Sequence, residues 1–327
     1  VRDELKRLAS MLTMHGLQQR RIGHHSLSFN NFNGRACALS TILASWASMI
    51  NQAPLHFLET LAKSKTGSLI LEIVKTDIAA LKIALLASLH IDADKPHNPM
   101  ELHELLIKNI FEEIHINDFH ELAPYLLYQV SSSSKCNSCG GQTTYRMSPV
   151  WPNPITQHNI NRYTPNTSPQ EVKLPCPSCN NPVKTYMEVL SAPMFSFIEL
   201  SHSSEKVYVH LAHIGADPIS VHIHKKSPDG PGHFITLSRF DSQYFITDDR
   251  FVTLMRDIVG QVRPNVTSVL YFNRVSMDSY TMLPQAQLFC NPCFVSRNEG
   301  KGSVVSRESN MMLMSYLHRT IGRCSAY

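Results

Sequence analysis

Helical periodicity fills the first part of this chain and strand-forming runs fill most of the rest, and that order constrains the fold more than any single motif. Leu5, Leu8 and Leu12 follow one helical face, and Ala36 to Met49 contains no breaker. Pro54 to Ala62, Ser68 to Leu89 and Met100 to Ile114 continue the pattern, the last with Leu102, Leu105, Leu106 and Ile110 at helical spacing. From about Tyr125 the character changes. Strand-like runs follow at Tyr186 to Leu190, Phe195 to Leu200, Val207 to Leu211, Ile219 to Ile223, His233 to Arg239, Tyr244 to Thr247 and Ser268 to Val275. Helices first and strands later predict an α+β architecture rather than alternating βαβ units.

A chain of 327 residues, with 43% hydrophobic and 17% charged residues, can bury a substantial core, which excludes disorder of the whole chain. The net charge of +4 is spread without a Lys/Arg-rich block, so nucleic acid is not an expected partner. Ser68 to His90 is apolar but carries Glu72, Lys75, Asp77 and Lys82, which makes it a poor membrane span. Val1-Arg2-Asp3-Glu4-Leu5-Lys6 lacks the layout of a signal peptide, so no membrane association is expected. Six of the eight cysteines stand in Cys-x-x-Cys pairs, which suits metal binding in a reducing compartment better than disulfides.

The chemistry concentrates in three places. Gly232-His233 and the pair Asp248-Asp249 flank a predicted hairpin with Asp241-Ser242 at its turn. A fold between Phe240 and Asp241 sets His233 directly opposite Asp248, close enough for the carboxylate to orient the imidazole. Asp249 then points to the other face, and a one-residue slip reverses the two.

Cys136-x-x-Cys139 and Cys176-x-x-Cys179 sit in turn-forming contexts and together supply the four thiolates of a closed, structural zinc site. Between them lies a Pro/Asn/Thr-rich stretch around Trp151-Pro152-Asn153-Pro154. Cys290-x-x-Cys293 has no partner pair, and Cys324 has no readable role.

Cys37 is solitary and opens a helix, where the dipole and the free N–H groups favour a nucleophilic thiolate. Gly34 lets the backbone before it turn tightly. Taken alone, such a cysteine is more often a small core residue. Beside a His-Asp pair it reads as a nucleophile. Elsewhere, His222 and His224 are expected on an exposed strand face, Trp46 in the core, and Arg20-Arg21 and Lys225-Lys226 as solvated charges.

The order Cys, His, Asp is that of papain-like proteases, and within them the resemblance becomes specific. Asn33-Gly34-Arg35-Ala36-Cys37-Ala38-Leu39-Ser40 resembles the Cys box of the ubiquitin-specific proteases (USPs). Gly232-His233-Phe234 through Tyr244, Asp248 and Asp249 is similar to their His box, and Ser268 to Val275 to the strand that closes their catalytic domain. The paired Cys-x-x-Cys motifs fall where that family carries zinc-bearing fingers. Glu101-Leu102-His103-Glu104-Leu105-Leu106 resembles the helix whose acidic residues hold the modifier's C-terminal tail.

The resemblance implies a papain-like fold of USP type, with a helical thumb, a β-rich palm and zinc-bearing fingers. It divides the chain into a helical extension (1–28), a catalytic domain (29–275, fingers about 125–200, knuckles 136–139 and 176–179) and a C-terminal appendage (276–327). The implied activity is thiol-dependent removal of ubiquitin or a ubiquitin-like modifier from lysine, in the cytoplasm or nucleus. Cys37 is then the nucleophile, His233 the acid and base, and Asp248 the orienting acid with Asp249 in support. Glu101 and Glu104 become tail-binding residues, and Cys136, Cys139, Cys176 and Cys179 the zinc ligands. The family's oxyanion-hole Asn stands five residues before the nucleophile, where this chain has Phe32, leaving Asn31 or Asn33 to supply that side chain. Two alternatives stay open: a SUMO isopeptidase, or an inactive modifier-binding scaffold. The acidic pair Glu101 and Glu104 favours a basic tail such as ubiquitin's over that of SUMO.

Overall fold

The computed structural model describes residues 24–136, 138, 140–150, 170–175, 182–200, 206–208, 216–227, 230–255, 262–264 and 266–273. After a short 3₁₀ turn at His24–Leu27 come α1 (Cys37–Gln52), α2 (Leu55–Leu61), α3 (Lys65–Thr76), α4 (Ala79–Ser88), α5 (Pro99–Glu113) and α6 (Ile116–Leu126). The strands are β1 (Tyr128–Cys136), β2 (Gly140–Ser148), β3 (Gln170–Pro175), β4 (Pro182–Ser191), β5 (Phe195–Glu199) and β6 (Lys206–Tyr208). They continue with β7 (Ala216–Ser227), β8 (Gly230–Phe240), β9 (Gln243–Asp248), β10 (Phe251–Met255), β11 (Val262–Pro264) and β12 (Val266–Asn273). The α+β expectation holds: helices precede an antiparallel β-rich part.

The described residues fall into two compact units. One contains the helices and a six-stranded sheet in the order β10-β9-β8-β7-β12-β5, whose neighbouring strands all pair antiparallel. The other contains most of a four-stranded sheet in the order β2-β1-β4-β3. In the chain, Cys136-x-x-Cys139 begins at the last residue of β1 and Cys176-x-x-Cys179 follows directly after β3.

Within the first unit α1 is the central element. Every residue from Ala38 to Ile50 is buried, so the helix is enclosed on all sides by β7 and β8, by α3 and by α5. Full enclosure explains its composition of Ala, Leu, Ile, Met, Trp46 and small hydroxyls. The hydroxyls of Thr41, Ser45 and Ser48 are buried too, and Ser45 Oγ meets Ser220 Oγ and His222 Nε2, each at 2.6 Å. The other ring nitrogen of His222 lies 2.7 Å from Ser268 Oγ. His222 is therefore fully buried cross-strand glue, not the exposed residue its alternation suggested. Hydrogen bonds on both nitrogens make that burial tolerable.

Two other differences have local causes. The single helix expected over Ser68 to Leu89 breaks at Asp77, which adopts a left-handed conformation (φ 52°) as the C-cap of α3. Apolar periodicity runs across the break and hides it. Helix α6 lies beyond the helices expected from the sequence; its Pro124 sits in the last turn, and Phe119, Leu122, Ala123 and Leu126 bury one face. Among the described residues no helix is long and apolar enough to cross a membrane. Residues 1–23 and 274–327, which hold most of the expected N-terminal extension and all of the C-terminal appendage with Cys290, Cys293 and Cys324, lie outside the described part, as does Trp151.

Candidate active site

Cys37 is the first residue of α1 and the point at which that enclosed helix reaches the surface, half-buried where its successors are fully buried. No side chain caps the first turn. The N–H of Ala36 donates instead to Asn31 Oδ1 at 2.8 Å, closing the loop before the nucleophile. Within that loop Gly34 has φ +72°, and nothing lies within 4 Å of where a Cβ would stand. Glycine is required there by conformation alone.

His233 stands near the start of β8, with Nε2 2.5 Å from Asp248 Oδ1 at the end of β9, and Cys37 is the neighbour that weighs most on its ring. With Nε2 on the carboxylate, Nδ1 is left for the sulfur. The imidazole is pushed up to about 9, first by the hydrogen bond to Cys37, against burial, and then by Asp248 and the field of Asp249. Burial works against ionisation of Asp248, but hydrogen bonds from Lys225 and His233 outweigh it and hold that carboxyl below its ordinary value. Lys225 Nζ lies 2.9 Å from Asp248 Oδ2, so the carboxylate has a cation at each oxygen.

The register differs from the expected one in an instructive way. Asp241 and Ser242, both with positive φ, form the two-residue turn, and pairing runs from Phe240↔Gln243 to Thr236↔Thr247. Extrapolated, this sets His233 opposite Arg250, so Asp248 is its diagonal neighbour rather than its direct partner. Moving the fold point by one residue displaces partners by two, which preserves the face. Diagonal neighbours remain within reach of long side chains.

Asp249 occupies the β9–β10 turn with φ 52°. Its Oδ2 accepts from Asn31 Nδ2 at 3.2 Å, and its backbone carbonyl accepts from Phe29 N–H at 3.2 Å. Oδ1 is buried without a partner, and burial pushes this carboxyl up. Asn31 thus bridges the acidic turn and the start of α1. Asn33 lies elsewhere in the network: its Oδ1 accepts from Arg35 N–H at 3.0 Å, and its Nδ2 donates to Ala93 O at 2.5 Å.

Ligand atoms of His233, Asp248 and Asp249 lie within 4.8 Å of one another, the one such group among the described residues. A metal there would have to displace the Lys225 ammonium and take the proton from His233, so the donor set does not fit one. Of the four expected zinc ligands, Cys136 ends β1 and is buried, whereas Cys139, Cys176 and Cys179 lie outside the described residues. Glu101 is exposed in the first turn of α5, and Glu104 is half-buried one turn on. The buried face of α5 packs on α1, with the rings of His103 and Trp46 6.2 Å apart.

Sequence reasoning missed Lys225, which it read as a solvated charge. The available signal was register: Lys225 pairs directly with His233 across β7 and β8. Gly232 owes its size to packing as well as conformation. At φ +80°, its Cβ would stand 2.4 Å from His224 Nε2 and 2.7 Å from the Lys225 carbonyl, so glycine admits the close approach of β7.

No family model matches the sequence, and no curated protein matches it. Solved structures do. A chain of the SAGA DUB module of Ubp8, Sgf11, Sus1 and Sgf73 bound to monoubiquitin aligns with a TM-score of 0.51 at 12% identity, covering 83% of this chain and 74% of that one. A second structure of that module gives a TM-score of 0.52 at 14% identity, covering 83% and 73%. At such identity the likeness is one of fold, and the mixed helical and antiparallel architecture is USP-like.

Proposed function

We propose that this protein is a thiol isopeptidase that releases ubiquitin or a ubiquitin-like modifier from lysine. The observation that carries the reading is the 2.5 Å contact of His233 with Asp248 next to Cys37 at the head of α1, since Cys37 lies nearly 200 residues before the hairpin that carries the other two. A nucleophile, a base and an orienting group in one line is the arrangement acyl transfer needs. A deubiquitinase module bound to monoubiquitin among the structural neighbours supports ubiquitin as the first modifier to test.

In this mechanism the Cys37 thiolate attacks the carbonyl carbon joining the modifier's last residue to the lysine. First-turn N–H groups of α1, uncapped by any side chain, face the developing oxyanion, and Asn31 braces that turn through the Ala36 N–H. Protonated His233 gives its proton to the departing ε-amine as the C–N bond breaks, leaving a thioester. Neutral His233 then takes a proton from water as its oxygen attacks the thioester; the C–S bond breaks, the modifier leaves with a free C-terminal carboxyl group, and the Cys37 thiolate and protonated His233 are restored. Asp248 holds the ring through both steps, and Glu101 and Glu104 are assigned to the modifier's tail. Zinc, held by Cys136, Cys139, Cys176 and Cys179, would be structural and take no part in the reaction. Thiol chemistry of this kind suits the reducing cytoplasm or nucleus.

Incubation with ubiquitin and SUMO carrying C-terminal electrophiles tests the proposal. Wild type should form a covalent adduct with one of them and Cys37→Ala none. Binding without covalent capture would make the protein a scaffold.

A further inference from the structure

A buried lysine that the reaction does not use contacts the loop in front of the nucleophile. Lys82 lies on α4 with 1% of its side chain exposed. Its ammonium donates to Asp77 Oδ1 at 2.6 Å and to the Asn30 carbonyl at 2.7 Å, and it stands 5.7 Å from the centre of the Phe32 ring. The other oxygen of Asp77 accepts from the Asn30 N–H at 2.9 Å. Asp77 and Lys82 therefore grip both backbone polar groups of Asn30. The next residue is Asn31, which spans Asp249 and the Ala36 N–H, and the one after is Phe32. A buried cation is costly unless fully paired, and here the pairing is spent on a loop rather than on the core.

We propose that Lys82 and Asp77 form a clamp that positions Asn31, and through it the first turn of α1, for catalysis. The clamp explains why α3 ends at Asp77 in a left-handed conformation: that cap turns the carboxylate toward Asn30 while its N–H still closes on Ile73 O at 2.8 Å. It also explains the one charge on the buried face of α4. Lys82 and Asp77 touch no substrate in this assignment; they act through Asn31. The inference rests on the isopeptidase reading for its catalytic consequence, but its geometry can be tested without it.

The test compares Lys82→Met, Asn31→Ala and the double variant in the full chain, assayed well below their melting temperatures. Displacing a reacting group by a fraction of an ångström slows the chemical step by about tenfold or more without weakening binding. Lys82→Met should therefore lower kcat on the order of tenfold with KM nearly unchanged, and the double variant should be no slower than the slower single variant. Asp77→Asn, which keeps the size but loses the charge, should show the same split if Lys82→Met does not fold. Multiplicative losses in the double variant, or wild-type kcat in the folded single variants, would overturn the clamp. If wild type reacts with no modifier probe, the isopeptidase reading fails, and the clamp is judged by iodoacetamide alkylation of Cys37. That rate should change at least about threefold in Lys82→Met and with the same non-additivity; an unchanged rate refutes the clamp.

Discussion

Lys225 and His233 are cross-strand partners on β7 and β8, and the two side chains end on opposite oxygens of the same carboxylate, Asp248. That arrangement turns an acid-orienting pair into a three-member charge cluster, with Asp249 close by. Both Lys225 and Asp248 are partly exposed, so the lysine should tune the site rather than create it.

Removing Lys225 takes away a cation that holds Asp248 ionised, so its carboxyl should titrate at higher pH. Activity that requires ionised Asp248 then loses its acid side earlier, and the acidic midpoint of the pH–rate profile should move up in Lys225→Met. An exposed ion pair of this kind is worth about 0.2–1 kcal/mol, which gives at most roughly a fivefold loss on the acid limb and little above neutrality. High salt should move the wild-type profile the same way. A profile in Lys225→Met that overlays wild type would show the lysine to be a bystander.

The titration of His233 offers a check that needs no substrate. Its imidazole, at about 9 in the intact site, owes its rise first to Cys37 and then to Asp248. Measured by NMR, it should fall in Cys37→Ala and fall in Asp248→Asn. Because the folded value lies above the unfolded 6.5, this group stabilises the fold fully below pH 6.5, and the contribution is lost as pH rises through about 9. An unshifted His233 in Cys37→Ala would disconnect the two residues.

The two site glycines should separate conformation from packing. Gly34→Ala meets open space at φ +72° and should cost about 1–2 kcal/mol in urea unfolding. Gly232→Ala adds a collision with the Lys225 backbone at 2.7 Å to the same conformational penalty, and should cost more, roughly 2 kcal/mol or above. It should also displace His233 from Asp248 and reduce activity sharply. Equal costs at both positions would refute the close approach of β7.

Acid should destabilise the core through two buried imidazoles. His103 and His222, with Phe197 between them at 4.0 and 5.2 Å, are both depressed to about 3, chiefly by burial. Their neutral forms support the fold fully above the unfolded value of 6.5, and that support is lost as pH falls from 6.5 toward 3. Each imidazole contributes a slope of at most about 1.4 kcal/mol per pH unit. Chemical denaturation between pH 7 and 4 should show this loss, and His222→Gln should flatten it. A stability that is level over this range would contradict the burial.

Much of this was legible in the chain. The predicted α1, the hairpin carrying His233 and Asp248, and the helices-then-strands order all rest on local signals: an unbroken apolar run, turn residues at Asp241-Ser242, and alternation along strands. The role of His222 was misread because alternation identifies a face without saying what covers it. Here α1 covers it, through Ser45.

What the sequence determined by itself was the helices-then-strands order, the hairpin of β8 and β9, and the identity of Cys37, His233 and Asp248 as candidates, because periodicity, turn chemistry and residue type are written locally. Only the tertiary structure decided what holds them. Lys225 reaches Asp248 through the pairing of β7 with β8, Asn31 joins Asp249 to Ala36 across 218 positions of the first link, and Lys82 reaches back 52 residues to Asn30. Such contacts depend on strand order, register and a left-handed cap at Asp77, and these follow from how buried surfaces fit together rather than from any stretch of residues read alone.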